Sequence, residues 1–312
     1  MANKEHKTSI GGSAVMEGVM MRGPEAIATA VRKPDGEIVM DYKETKNPKK
    51  RNWFLKLPIV RGCVGFFESM VTSTKALMFS AEFIDLEEEE EPSKFDKWLE
   101  KVFGDKLKDG VIYVSVVLAV LMSVGLFILL PTWIVSLIKA FITDAQVVLT
   151  AAEGVIRIAI FLGYLTLVSQ MPDIKRVFQY HGAEHKTIAC YEAGEELTPE
   201  NARTKCRLHP RCGTSFLLIV MVVSIIVFSF LKWDNILIRT LTRLALLPVV
   251  AGISYEIIKF AGRYDNFLTR IISWPGKMLQ KITTKEPDDS QLEVAIAAMK
   301  AVIPENKEDD KW

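Results

Sequence analysis

Charge is missing from long stretches of this 312-residue chain. From Gly110 to Ile138, 29 consecutive residues include no Asp, Glu, Lys or Arg, and from Gly213 to Leu231 there are another 19. A bilayer core takes a helix of ~20 mostly apolar residues, so these gaps exclude an ordinary soluble enzyme and a disordered chain. Cysteine is scarce, at four residues, which excludes a secreted disulfide scaffold. The start, MANKEHKTSIGGSAVMEGVMMRGP, lacks the run of about 7–15 apolar residues that a secretory signal needs. A bias of charge is absent too: 39 Lys and Arg against 38 Asp and Glu leave +1, and no nucleic-acid partner is expected. What remains is a membrane protein whose partner is the lipid bilayer.

Residues 26–43 read as a β-hairpin, with Ala26–Arg32 and Glu37–Lys43 alternating in polarity around Lys33-Pro-Asp-Gly36. The Gly-rich stretch before it, Gly11-Gly12 and then Met16 to Gly23, has no phosphate-loop spacing and reads as a tight loop packing on the hairpin. Residues 53–84 are apolar but carry Arg61, Glu68, Lys75 and Glu82 at intervals of seven. Seven residues are two helical turns, so these charges form a narrow stripe drifting ~20° per step. The helix either lies at the membrane interface or packs on the bundle with its stripe towards a polar cleft. Asp85 to Glu91 reads as a solvated acidic linker.

Four spanning segments are expected: 110–138 with Pro131 as a kink or end, 155–171 with Arg157 near its start, 213–231, and 241–261 with Pro248 and Glu256. Lys and Arg number five in residues 92–109 and seven in 173–212, but one in 139–154 and three in 232–243. By the positive-inside rule both termini and the central loop are cytoplasmic, in a multi-pass plasma-membrane protein. The tail opens an amphipathic docking helix at a capping box, Ser290-Gln-Leu-Glu293, and ends it near Ile303. The expected fold is a membrane all-α bundle of about four transmembrane helices plus an amphipathic helix, with a small N-terminal cytosolic β-hairpin. Its parts are 1–52 (Gly-rich loop and hairpin), 53–109 (apolar helix and acidic linker), 110–272 (transmembrane domain with the His/Cys loop 173–212) and 273–312 (C-terminal tail).

Three of the four histidines and three of the four cysteines fall in this central loop. Tyr180-His-Gly-Ala-Glu-His-Lys186 contains H-x-x-E-H, the inverted zincin pattern. On a helix, positions i and i+4 lie ~40° apart and i+3 sits ~60° to the other side. His181 and His185 can then take adjacent corners of a zinc tetrahedron while the Glu184 carboxylate faces the same space. Gly182 weakens the helix. The third ligand expected is His209, in Cys206-Arg-Leu-His-Pro-Arg-Cys212, with Cys190, Cys206 and Cys212 as additional candidates. Three histidines leave a fourth position open for water, whereas His2Cys2 would make a closed structural knuckle, and these residues could build either. Glu256, an ionisable group inside a span, is a functional candidate or a partner of Lys259. Cys63 reads as a small packed side chain.

Gly11 to Pro24, His181 to Lys186, Leu208 to Ser215 and Glu286 to Ile296 together resemble the YqhQ-like bacterial membrane proteins along the full length of the chain. That family is described as predicted metal-dependent enzymes. The resemblance implies a membrane protein with a metal, names no substrate, and gives the Gly-rich stretch more weight, with Glu17 and Arg22 as candidate polar groups.

The expected function is an integral membrane, metal-dependent enzyme, a hydrolase acting at the cytosolic membrane face on a lipid-linked or membrane-protein substrate. His181, His185 and His209 hold zinc or another divalent transition metal, and Glu184 is the general base. The alternative is a non-enzymatic transporter or assembly factor with a structural metal, in which Glu256 and the charged stripe line a polar path.

Overall fold

The computed structural model describes residues 6–45, 52–83, 117–143, 145–230, 236–264, 266–306 and 308–311. The acidic linker and the five lysines of residues 92–109 lie outside these. The chain divides into two compact units, one of residues 1–84 and 165–312, the other of residues 85–164.

The second unit holds helix α2 (Val117–Phe141) and most of α3 (Gln146–Val168). Pro131 neither ends nor interrupts α2: five residues of π-helix, Gly125–Leu129, precede it and absorb the backbone carbonyl its ring would strike. α3 begins nine residues before the expected second span. An ion pair between Glu153 and Arg157 at i and i+4, 2.6 Å apart, lets the helix carry both charges. Phe127 packs edge-on against Tyr164.

In the first unit the Gly-rich stretch is sheet, not loop. β1 (Gly11–Val15), β2 (Gly18–Arg22), β3 (Ala26–Arg32) and β4 (Ile38–Glu44) form an antiparallel meander in that order, so the expected hairpin is the second half of a four-stranded sheet. Gly36 turns the hairpin at φ 89°. Both faces of the sheet are covered, which is why β2 and β3 are apolar without clean alternation. Val19, Met21, Ala28 and Ala30 pack in the core with α4 (Pro172–Glu192) and α9 (Asp289–Val302). Val15, Met20 and Val31 pack with Ala76 of α1 (Val60–Ala81).

α9 is capped by Asp288, not Ser290: the Asp288 carboxylate accepts the Gln291 N–H, and the Gln291 side chain accepts the Asp288 N–H. Ser290 instead donates to Asp288 Oδ1 at 2.6 Å. The helix buries Leu292, Ile296 and Met299, each worth about 1.5–3 kcal/mol, and forms core between sheet and α4.

The central loop is largely helical: α4 fills its first half, and α5 (Pro199–Arg203) is a single turn capped by Thr198. Beyond it come α6 (Gly213–Ser229), α7 (Ile236–Arg263) and α8 (Phe267–Thr283). Among the described residues, three helices are long and apolar enough to cross a membrane: Val117–Phe141, Val148–Val168 and Leu241–Arg263. Gly213–Ser229 is apolar but shorter, so the expected four spans become three candidates and a 17-residue helix. The stripe on α1 is paired where it meets the rest of the unit. Arg61 binds Glu256 of α7 through two hydrogen bonds, one of 2.7 Å, and Glu68 accepts Arg22 of β2 at 3.0 Å.

Candidate metal centre

Pro172 in the first turn, after an extended Met171, pre-sets the dihedrals from which α4 grows. The helix runs through Gly182 because the neighbouring chain needs the space. A Cβ there would lie 2.0 Å from the Lys285 carbonyl oxygen, so residues 284–288 can cross the helix only over glycine. On the buried face thus formed, the His181 and His185 ring centroids are 4.5 Å apart.

Each ring is fixed from behind by a carbonyl: His181 Nδ1 donates to Thr283 O at 2.8 Å and His185 Nδ1 to Arg207 O at 2.5 Å. A carbonyl only accepts, so Nδ1 carries the proton and each neutral ring presents the Nε2 lone pair inward. His181 Nε2 lies 3.2 Å from Cys212 Sγ, and His185 Nε2 is buried with no hydrogen-bond partner. One ring nitrogen from each histidine and Cys212 Sγ lie within 4.8 Å of one another.

Cys212 caps α6, its sulfur accepting the Thr214 N–H at 3.4 Å. Burial pushes its thiol up, but the two imidazoles outweigh burial and hold it well below the usual thiol range. Burial disfavours the charged form of His181 too, yet Cys212 and Glu184 push it up to about 9. A cation bound there would take the place of the proton that His181 and Cys212 share.

Glu184 is buried beside the group. It accepts the backbone N–H of Gly12 in β1, its Oε2 has no partner, and burial pushes its carboxyl up against the pull of His185 and His181. A side chain at position 12 would reach within 3.1 Å of that carboxylate, so β1 is seated on the site.

The three histidines are neighbours, but Cys212 stands in the donor group where the sequence pointed to His209. The His209 ring is 5.6 Å from that of His185, and its Nε2 is 3.6 Å from Glu192. Burial holds His209 low. Burial pushes Glu192 up, but His209 and Arg211 together hold it below the usual carboxylate range.

The other candidates lie apart. Cys190 is buried with its sulfur 3.5 Å from the Glu196 carbonyl, burial raising its thiol, and Cys206 is exposed. Glu17 holds Arg176 and accepts the Tyr180 hydroxyl at 3.2 Å, while Arg22 and Glu256 pair with α1. Gln280 and Thr283, which support the site from α8, carry no motif that could have flagged them. Gly12 stood in the Gly-rich stretch the resemblance singled out, next to the residues chosen from it.

The family model described as "Protein of unknown function (DUF1385)" matches residues 57–305. The chain belongs to the DUF1385 family. It is similar to "Uncharacterized protein YqhQ" of Bacillus subtilis (strain 168), at 38% identity over 309 residues, covering 96% of this chain and 94% of that protein. No solved structure matches. The DUF1385 match spans His181, Glu184, His185 and Cys212 and starts after the sheet that supplies Gly12.

The donor set suits a borderline divalent ion. Two imidazoles braced on carbonyls and one thiolate are ligands that zinc takes, and the bracing is the outer-shell arrangement that orients metal-ligating histidines. Buried orphan atoms on His185 and Glu184 would be costly without such an occupant.

Proposed function

We propose that this membrane-associated protein is a metal-dependent enzyme of the hydrolase type, holding zinc or a similar divalent ion through His181, His185 and Cys212. The observation that carries the reading is the pair of Nδ1–carbonyl hydrogen bonds that turn two imidazoles towards one buried sulfur. A bound ion would supply Lewis-acid activation of a water or of a substrate oxygen. The chain supplies the rest: Glu184 takes a proton at its unpartnered Oε2, Gly12 orients that carboxylate, and β1 keeps bulk water from it. Three protein donors with a carboxylate alongside favour an open site over a closed knuckle, because Cys190 and Cys206 stand elsewhere.

Metal content and complementation of a deletion strain test this together. His181→Ala and Cys212→Ser should lose the ion. Glu184→Gln should keep it, yet lose function by about 10²–10⁴ in rate. A fully active Glu184→Gln protein, or unchanged metal in both ligand variants, overturns the proposal.

A second reading rests on the 3.2 Å contact of His181 Nε2 with Cys212 at a helix N-terminus. The same pair has the form of a nucleophilic thiol with its base, the base oriented by Thr283 O. Alkylation of Cys212 by iodoacetamide separates the two. Metal should protect the thiol under the first reading and make no difference under the second.

A further inference from the structure

α8 is folded inside out for a helix in water. Its protein-facing side consists of Thr269, Ser273, Gly276, Gln280 and Thr283 with a single Leu279, all buried. The side it shows outward carries Phe267 at 81% exposed, Leu268 at 55%, Ile271 at 53% and Trp274 at 62%. At ~100° per residue, Phe267, Ile271, Trp274 and Met278 fall within ~40° of one line, and Arg270, Lys277 and Lys281 flank that line on one side. The helix has no Asp or Glu between Phe267 and Thr283. A soluble helix buries its apolar line and exposes its small polar face, so the reversal needs an apolar medium outside.

What that medium is follows from position and charge. α8 starts three residues after α7, whose Leu241–Arg263 is long and apolar enough to cross a membrane. Only Tyr264 to Asn266 intervene, so α8 begins where a spanning helix leaves the bilayer. Three basic residues, Pro275 and Gly276 within 17 positions make it a poor span and a good interfacial helix, with a Trp at headgroup level and cations for anionic lipid. The small polar face has its own reason: Gly276 lies so close to α6 that a Cβ would stand 2.3 Å from Ser215 Oγ.

We propose that α8 lies in the headgroup region of an anionic bilayer, its Phe267–Trp274 face in lipid. The same helix ends in the supports of the metal centre: Gln280 holds the His209 peptide and Thr283 O holds His181. From Trp274 to Thr283 is nine residues, ~14 Å of helix. The centre is therefore tied to the membrane surface and open to substrates whose reacting group sits in the headgroup layer. This step rests on the metal-site reading. The docking of α8 does not.

The test uses the full-length chain in nanodiscs of equal parts phosphatidylcholine and phosphatidylglycerol. The lipids bear a nitroxide either near the headgroup or near the acyl-chain end. The emission lost in Trp274→Phe is the Trp274 signal. It should be quenched about twofold more by the shallow label, as a ring ~5–10 Å deep requires. Equal or stronger quenching by the deep label would overturn the proposal, and so would no quenching by either. Shielding of Trp274 together with cross-linking at position 274 to a second copy would overturn it in favour of self-association. Ile271→Glu with Trp274→Glu should abolish the shallow quenching of a fluorophore attached at position 268. Retained quenching there also overturns it. Metal content, read in parallel, reports the centre separately, so a metal-free protein that still shows shallow quenching sinks the enzyme reading and leaves the docking intact.

Discussion

A methyl group at position 182 would lie 2.0 Å from a backbone oxygen that cannot move without taking residues 284–288 along. Gly182→Ala should therefore cost at least the ~1–3 kcal/mol of an overpacked core. It should also lower metal content, because Thr283, two residues before the clash, orients His181. Thermal unfolding in detergent with metal analysis checks both, and a variant normal in both would contradict the crossing. Glu192 answers to pH. His209 and Arg211 depress it in the fold, so its stabilisation is present above its ordinary ~4.3 and is lost as pH falls through the lower folded value. His209, kept neutral by burial, adds an acid-sensitive step that begins near ~6.5. Glu192→Gln should flatten the acid limb below about pH 4.3 and cost about 3 kcal/mol at neutral pH, since it leaves Arg211 buried beside an uncharged partner. Melting curves across pH decide it, and an unchanged acid limb would remove Glu192 from the account.

Elements that depend on their own sequence were legible in it, and elements fixed by a neighbour were not. The hairpin of β3 and β4 follows from Pro and Gly at its turn, and the H-x-x-E-H spacing already put two imidazoles on one helical face. β1 and β2 were missed because a sheet covered on both faces loses the alternation that marks strands. The length of α4 is hidden because Gly182 weakens a helix when Lys285 is out of view. Cys212 was visible, but His209 was the more familiar ligand, and nothing local shows that its ring turns to Glu192. α8 escaped because its polar and apolar faces are exchanged. The element still makes a sharp claim at Gln280, which accepts the His209 N–H at 2.8 Å and donates to the His209 carbonyl at 2.7 Å and Ser215 Oγ at 3.1 Å. Gln280→Leu keeps the volume and strands that peptide, at about 1–3 kcal/mol per buried group. The loop that carries Cys212 should loosen, and metal affinity should fall about 10-fold or more, as outer-shell losses do. A chelator competition titration measures this, and an unaltered affinity would confine Gln280 to packing.

The packing of the first unit constrains how often the chain crosses the bilayer. The sheet, α4 and α9 bury one another in a single core, so they lie on one side of any membrane. Two stretches can leave that side: the one between α1 and α4, and the one between Cys212 and α9. Each excursion must cross an even number of times. If α7 crosses, as its length allows, α6 is expected to cross as well, although its 17 residues rise only ~26 Å against a core of ~30 Å. A short span of that kind is accommodated by local thinning at modest cost. Lys and Arg counts then predict the side: seven in 173–212 against one in 139–154 give the expectation of a cytosolic core. A fluorescent protein fused after Trp312 and one inserted after Gly194 should both fluoresce, and alkaline phosphatase at either position should be inactive. Phosphatase inserted in the segment between α6 and α7 should be active. If the fusion after Trp312 reported the outside while the insertion after Gly194 reported the cytosol, the stretch between them would cross an odd number of times. Then α9 could not pack on α4, and the centre built from His181, His185 and Cys212 would lose the support of Thr283 that orients it.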